Sequence, residues 1–185
     1  MAQVTYQIDP AHASAQFSVR HMMISNVRGE FTKLTGAAVY DTEHPEDSTI
    51  EVSIDVSSLS TRDPQRDAHL KSADFLDLEK YPTITFRSTR FAARDGELEI
   101  KGDLTIHGVT RPVTVLAEGP TPETQDPWGN VRIGATATAK VSRKDFGLTW
   151  NTALETGGVL VGDEVKITLD LEAVRQSQQL AEKEI

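Results

Sequence analysis

The 185-residue chain contains no cysteine. Disulfides, thiolate nucleophiles and Cys-ligated metals are therefore excluded. It has no apolar run near the eighteen or so residues of a membrane helix, so stable membrane insertion is not expected. Its first residues, MAQVTYQIDP, show no basic segment followed by an apolar stretch, and a cytoplasmic location is expected. The five histidines have no metal-ligand spacing. No phosphate-cradling Gly loop and no serine nucleophile elbow is present. Asp67 and His69 stand at i and i+2, which do not share a helix face. No catalytic constellation is visible, and neither a metal nor a cofactor is expected. The net charge is −9, but Lys and Arg are scattered, so nucleic acid would find no positive stripe to bind.

What the chain does have is period two. Leu98, Ile100, Gly102, Leu104 and Ile106 share one face, and Glu97, Glu99, Lys101, Asp103 and Thr105 the other. His107-Gly108 breaks the pattern, and Val113, Val115 and Ala117 resume it. This is an antiparallel hairpin with one buried and one wet face. The same design recurs at Val4 to Ile8, Ala13 to Met23, Ile50 to Val56, Ile84 to Phe86, Val131 to Val141 and Val165 to Leu171. Met23 falls on the inward face, and Ser25-Asn26 is read as the next turn. Val27, Gly29 and Phe31 are out of phase with Leu34, Gly36 and Ala38, which implies a bulge near Thr32-Lys33. Asp63-Pro64 reads as a helix N-cap and first turn, opening a helical interruption over residues 63–78. Eight or nine antiparallel strands with one such insertion suggest a closed up-and-down barrel or a sandwich. Residues 1–174 form one domain, and 175–185 a polar tail.

The inward face of residues 131–141 is short of bulk, with alanine at 135, 137 and 139. An eight-stranded barrel is filled by side chains or holds one small ligand, depending on their size. Either Phe17, Phe86 and Trp150 fill the space and the core is solid, or an apolar ligand enters. His21, at a core-facing position, is either satisfied by the protein or meets a ligand head group. Arg143, in register at a strand end, either forms an ion pair or meets an anionic head group. His107 is a turn residue or a site residue.

Three stretches resemble the YceI family: GDLTIHGVTRPVTV, SSLSTRDPQRDAHLKSADFLDLEKYPTITFRST and SRKDFG. Ile8-Asp9 through His12, Phe17 to His21 and Gly29-Glu30-Phe31 match as well. The resemblance spans about residues 5 to 173. It implies an all-β, antiparallel, lipocalin-like eight-stranded barrel with an inserted helix. It further implies an elongated apolar pore holding a polyisoprenoid or another long-chain amphipathic lipid such as a fatty amide, and a homodimer. On that reading Phe17, Val19, Ile54, Ile84, Phe86, Leu104, Ala135, Ala137, Ala139 and Ile167 line the pore. Phe75, Phe146 and Trp150 close its mouth, and His21 or Arg143 meets the head group. The expected function is to sequester or carry that lipid. Two alternatives stay open: an enzyme acting on a hydrophobic substrate with His21 as general base, and a solid barrel acting through its surface as a stress-response partner.

Overall fold

A computed structural model of the chain describes residues 3–177. In chain order it contains β1 (Gln3–Ile8), β2 (Ser14–His21), β3 (Ser25–Phe31), β4 (Leu34–Asp41), β5 (Thr49–Asp55), β6 (Leu59–Ser60), α1 (Pro64–Lys71), β7 (Thr83–Arg94), β8 (Glu97–Ile106), β9 (Val109–Glu118), β10 (Thr124–Gln125), β11 (Val131–Ser142) and β12 (Val161–Arg175). Every pairing among them is antiparallel. β11 pairs with both β9 and β12, and β12 pairs with β1, so the sheet closes on itself. The three pairs β1–β2, β3–β4 and β5–β6 each act as one kinked stave. With β7, β8, β9, β11 and β12 they make an eight-staved up-and-down barrel.

The kinks have local causes. Between β1 and β2 the chain makes a single 3-10 turn over Pro10–His12, capped by Asp9, whose carboxylate accepts from the Ala11 N–H. Between β3 and β4 the phase slips at Thr32-Lys33. The amides freed there both donate to Ser58 Oγ, at 3.1 Å each. A slipped register leaves unpaired donors, and a side-chain oxygen from the neighbouring stave satisfies them.

α1 starts where Asp63 Oδ1 accepts from the Gln65 and Arg66 amides, with Pro64 in the first turn. It is tied to the barrel through Thr61. Asp67 accepts from the Thr61 amide and hydroxyl, and Arg66 donates to the Thr61 hydroxyl and carbonyl. The helix stands between β6 and β7 at one end of the barrel. That end also carries the β8–β9 turn and the 3-10 turn Arg143–Phe146, and it is the mouth. His107 lies in this turn at φ 54, packs edge-on against Tyr81, and has Nδ1 3.3 Å from the Phe146 carbonyl.

Two expectations shift. The hairpin after β2 turns at Met22-Met23, not at Ser25-Asn26. Both methionines have positive φ, and the Ile24 amide donates to the His21 carbonyl. Met23 is therefore exposed at a tip and does not face inward. At the other end of the chain β12 runs through Arg175, and the Gln176 amide donates to the Thr5 carbonyl, so the strand outlasts the expected start of the tail at 175. Residues 178–185 of that tail lie outside the described residues.

Candidate functional site

Small side chains on one strand leave space only if large ones elsewhere do not take it. Phe17 and Phe86, the two aromatics best placed to fill the barrel, lie against glycines. Phe17 pairs across the ladder with Gly29, and a Cβ there would sit 2.4 Å from its Cζ. A Cβ on Gly102 would likewise sit 2.4 Å from Phe86 Cζ. Each ring lies over a wall position that has no side chain of its own, so its bulk is laid flat along the sheet. Ala135, Ala137 and Ala139 on β11 pair with Leu171, Leu169 and Ile167 on β12. The result is an apolar cavity of about 650 Å³ inside the barrel. The interior is not solid.

All the side chains expected at the pore border this one cavity: Phe17, Val19 and His21 on β2; Ile54 on β5; Ile84 and Phe86 on β7; Leu104 on β8; Ala135, Ala137 and Ala139 on β11; Ile167 on β12; and Phe75, Phe146 and Trp150 beyond the strands. Arg143 borders it too. Its far end is marked by buried Phe91 and Leu98, which lie past the last lining residues of β7 and β8. Along β12 the lining runs from Val161 to Leu171. At about 3.3 Å per residue and a strand tilt of about 40°, that is an axial length of about 25 Å. The cavity is therefore elongated along the barrel axis, with apolar side chains along its whole length.

At the mouth Trp150 packs on Phe75 (ring centroids 5.2 Å) and on His69 (4.8 Å), and His69 packs on Phe75 (5.1 Å). The sequence pattern missed His69. Its partner is Asp74, at Nε2···Oδ2 2.9 Å across the turn after α1, and not Asp67. Gln65 from the same helix also reaches the cavity. Phe146 is fully buried beneath the mouth in the main core cluster.

For Arg143 the sequence left an ion pair or a head-group contact open, and its partners in the structure are mainly backbone carbonyls. Arg143 is 3% exposed. Nε donates to the Gly162 carbonyl, Nη1 to those of Leu148 and Trp150, and Nη2 to that of Val161. Asp163 stands 3.6 Å from Nη2. Burial lowers its pKa, and the Asp163 charge partly offsets this. With these partners the guanidinium holds the 147–162 loop to the barrel rim and has no free donor pair for a head group. His21, at the end of β2 opposite Val161, borders the pore at the mouth end together with its neighbour Arg20.

Outside the barrel, Arg132 bridges three carboxylates: Asp9 and Asp126 at 2.7 Å and Glu172 at 2.8 Å. Hydrogen bonds from Arg132 and then His12 pull Asp9 down to a pKa of about 2, and Arg132 likewise lowers Asp126. This clamp pins the 119–130 loop over β11. Among the described residues Asp9, His12 and Glu172 stand close enough to share a cation, but Arg132 already occupies the centre of that group.

A family model for the YceI-like domain matches residues 6–173. The chain belongs to the YceI-like family. A UPF0312 protein of Vibrio cholerae is 43% identical over 146 residues, covering 77% of each chain. Another from Pseudomonas aeruginosa is 35% identical over 175 residues, 92% of this chain and 87% of its own. Among solved structures, the Campylobacter jejuni YceI protein superposes with a TM-score of 0.71 at 28% identity over 85% of this chain and 90% of its own. A polyisoprenoid binding domain from Saccharophagus degradans superposes with a TM-score of 0.68 at 14% identity, over 94% of this chain and 99% of its own, a likeness of fold. The YceI-like assignment covers both the strands that line the pore and the helix that guards it.

Proposed function

We propose that this YceI-like barrel binds one long-chain apolar or amphipathic lipid of the polyisoprenoid class, and sequesters or carries it. The observation that carries this reading is the elongated apolar cavity of about 650 Å³, kept open by alanines on β11 and by glycines under Phe17 and Phe86. The apolar chain lies along the axis, and the head group rests at the mouth near His21 and Gln65. The relative from Saccharophagus degradans, named for polyisoprenoid binding, supports the ligand class. Apolar contact does not distinguish closely related chains, so the selectivity expected is for length and girth.

Native mass spectrometry of the purified protein, followed by organic extraction, tests this. A stoichiometric mass excess that extracts as a long-chain lipid is expected. A clean apo mass that persists after incubation with polyprenyl lipids refutes it. The same spectrum reads the assembly, for which we propose a homodimer on the family resemblance.

A further inference from the structure

The turn that joins β2 to β3 is built against its own backbone preference. Met22 has φ 50 and Met23 has φ 63, and the Ile24 amide donates to the His21 carbonyl at 3.1 Å. Positive φ at both central residues is the type I′ geometry, which favours Asn-Gly and is costly for other L residues. Here it carries Met-Met followed by Ile. These side chains are not recovering the cost by burial: Met22 is 41%, Met23 59% and Ile24 73% exposed.

A second hairpin stands beside the first, with Glu155 and Thr156 at its turn and Val159 on its returning arm. Leu154 to Val159 form a tight hairpin, in which Ala153 pairs with Val159 and the Leu154 amide donates to the Gly158 carbonyl. Val159 is 41% exposed. The Met22 amide donates to the Leu160 carbonyl, and the Met23 sulfur packs onto Gly158, where a side chain would collide with it. Met22, Met23 and Ile24 of the first turn and Val159 of the second hairpin therefore form one apolar patch. It is continuous with the pore: Arg20 and His21 immediately before it, and Leu160 and Val161 immediately after Val159, all border the cavity.

We infer that this patch is a membrane-docking surface, which seats the mouth of the pore on a lipid bilayer by inserting Met22, Met23, Ile24 and Val159 below the head groups. The inference rests on the lipid-carrier reading above, because a bilayer is where a long-chain lipid is held. Four exposed residues fall far short of the roughly 20–30 per side of a stable protein interface. A bilayer needs no such area and no shape complement; it takes apolar side chains from hairpin tips directly. Flexible methionine suits a disordered acceptor. Charge does not drive the contact: Lys144 near the mouth is paired with Asp163 at 3.2 Å, and Arg20 is engaged by the Met23 carbonyl.

The absence of cysteine makes the test direct. Ile24→Cys carrying an environment-sensitive fluorophore reports insertion on titration with phosphatidylcholine vesicles. A blue shift is expected. Installing the favoured turn pair as Met22→Asn with Met23→Gly in the same labelled protein should keep or raise thermal stability while weakening partitioning by about tenfold per side chain removed. Uptake of a polyprenol delivered from cyclodextrin, which bypasses the membrane, should be unchanged by that pair. No blue shift in a protein that fills normally from cyclodextrin overturns docking and leaves the carrier reading standing. A protein that does not fill from cyclodextrin fails the carrier reading, and the vesicle titration still decides docking. A shift that needs phosphatidylglycerol and vanishes in salt overturns apolar insertion. A shift that appears without vesicles as protein concentration rises assigns the patch to a second copy of the chain and overturns it too.

Discussion

Phenylalanine placed in turn at Ala139, Ala137 and Ala135 should act as a movable stop in the bore. The three positions face inward on β11, opposite Ile167, Leu169 and Leu171. Successive inward positions are two residues apart, which at about 3.3 Å per residue and about 40° of tilt moves the stop about 5 Å along the axis. An extended hydrocarbon with C–C bonds of about 1.5 Å advances about 1.25 Å per carbon, so each step admits or excludes about four carbons. At about 0.8 kcal/mol per buried methylene, that is about 3 kcal/mol of apolar transfer per step before ordering costs. Phe at 139, nearest the mouth, should leave the shortest bore, and Phe at 135 the longest. The assay is competition among saturated chains of graded length, with the bound fraction read by native mass spectrometry. The optimum length should fall in the order wild type, Ala135→Phe, Ala137→Phe, Ala139→Phe. The added rings enter a void, so thermal stability should hold in all three. An unchanged length optimum across three folded variants refutes the axial placement of the chain.

Three further outcomes follow from the geometry. Arg143→Met removes the side-chain donor from the carbonyls of Leu148, Trp150 and Gly162, while Val161 keeps Asn151, and should cost about 3–5 kcal/mol in denaturant melts, with amide exchange accelerated first in residues 147–162. Gly29→Ala puts a methyl 2.4 Å from Phe17 Cζ at an ordinary φ, so the ring swings off the wall into the bore. Lipid uptake should drop, with a stability loss of about 1–3 kcal/mol by calorimetry. The Asp9 carboxyl is held at about 2, below its unfolded value, so its contribution is complete above the unfolded pKa and is lost as pH falls through the folded one. Wild-type stability should therefore decline from about pH 4 toward pH 2 in acid melts, and Arg132→Ala should flatten that slope.

The strands were legible because one face of each is wet. Alternation along Leu98 to Ile106 and Val131 to Val141 places the inward residues without any tertiary information. The slip at Thr32-Lys33 was legible for the same reason, since a change of phase is itself a pattern. The supplier of its missing hydrogen bonds, Ser58, was not, because it comes from another stave. The turn after β2 misled in a specific way: Ser25-Asn26 looks like turn chemistry, whereas Met22-Met23 occupies a conformation that sequence preference disfavours. Arg143 was correctly placed inside by register. Its occupation by backbone carbonyls depends on a loop that returns only after Gly147, and carbonyl acceptors carry no residue signature. The openness of the pore was legible only in half. The alanines announce missing bulk, but only the structure shows Phe17 and Phe86 turned onto Gly29 and Gly102.

β12 pairs with β11 along one edge and with β2 and then β1 along the other. It is the last of the described strands, and its partners on one side come from the first residues of the chain. During synthesis the other seven staves leave the ribosome before it does. Until then β11 and the β1–β2 stave each present an unpaired edge, and the future pore is an open trough facing water. Unpaired edges recruit other strands, and contacts spanning nearly the whole chain form late. Interruption ahead of Val161 therefore yields an adhesive open sheet rather than a smaller barrel, and quality control of this fold turns on whether β12 arrives.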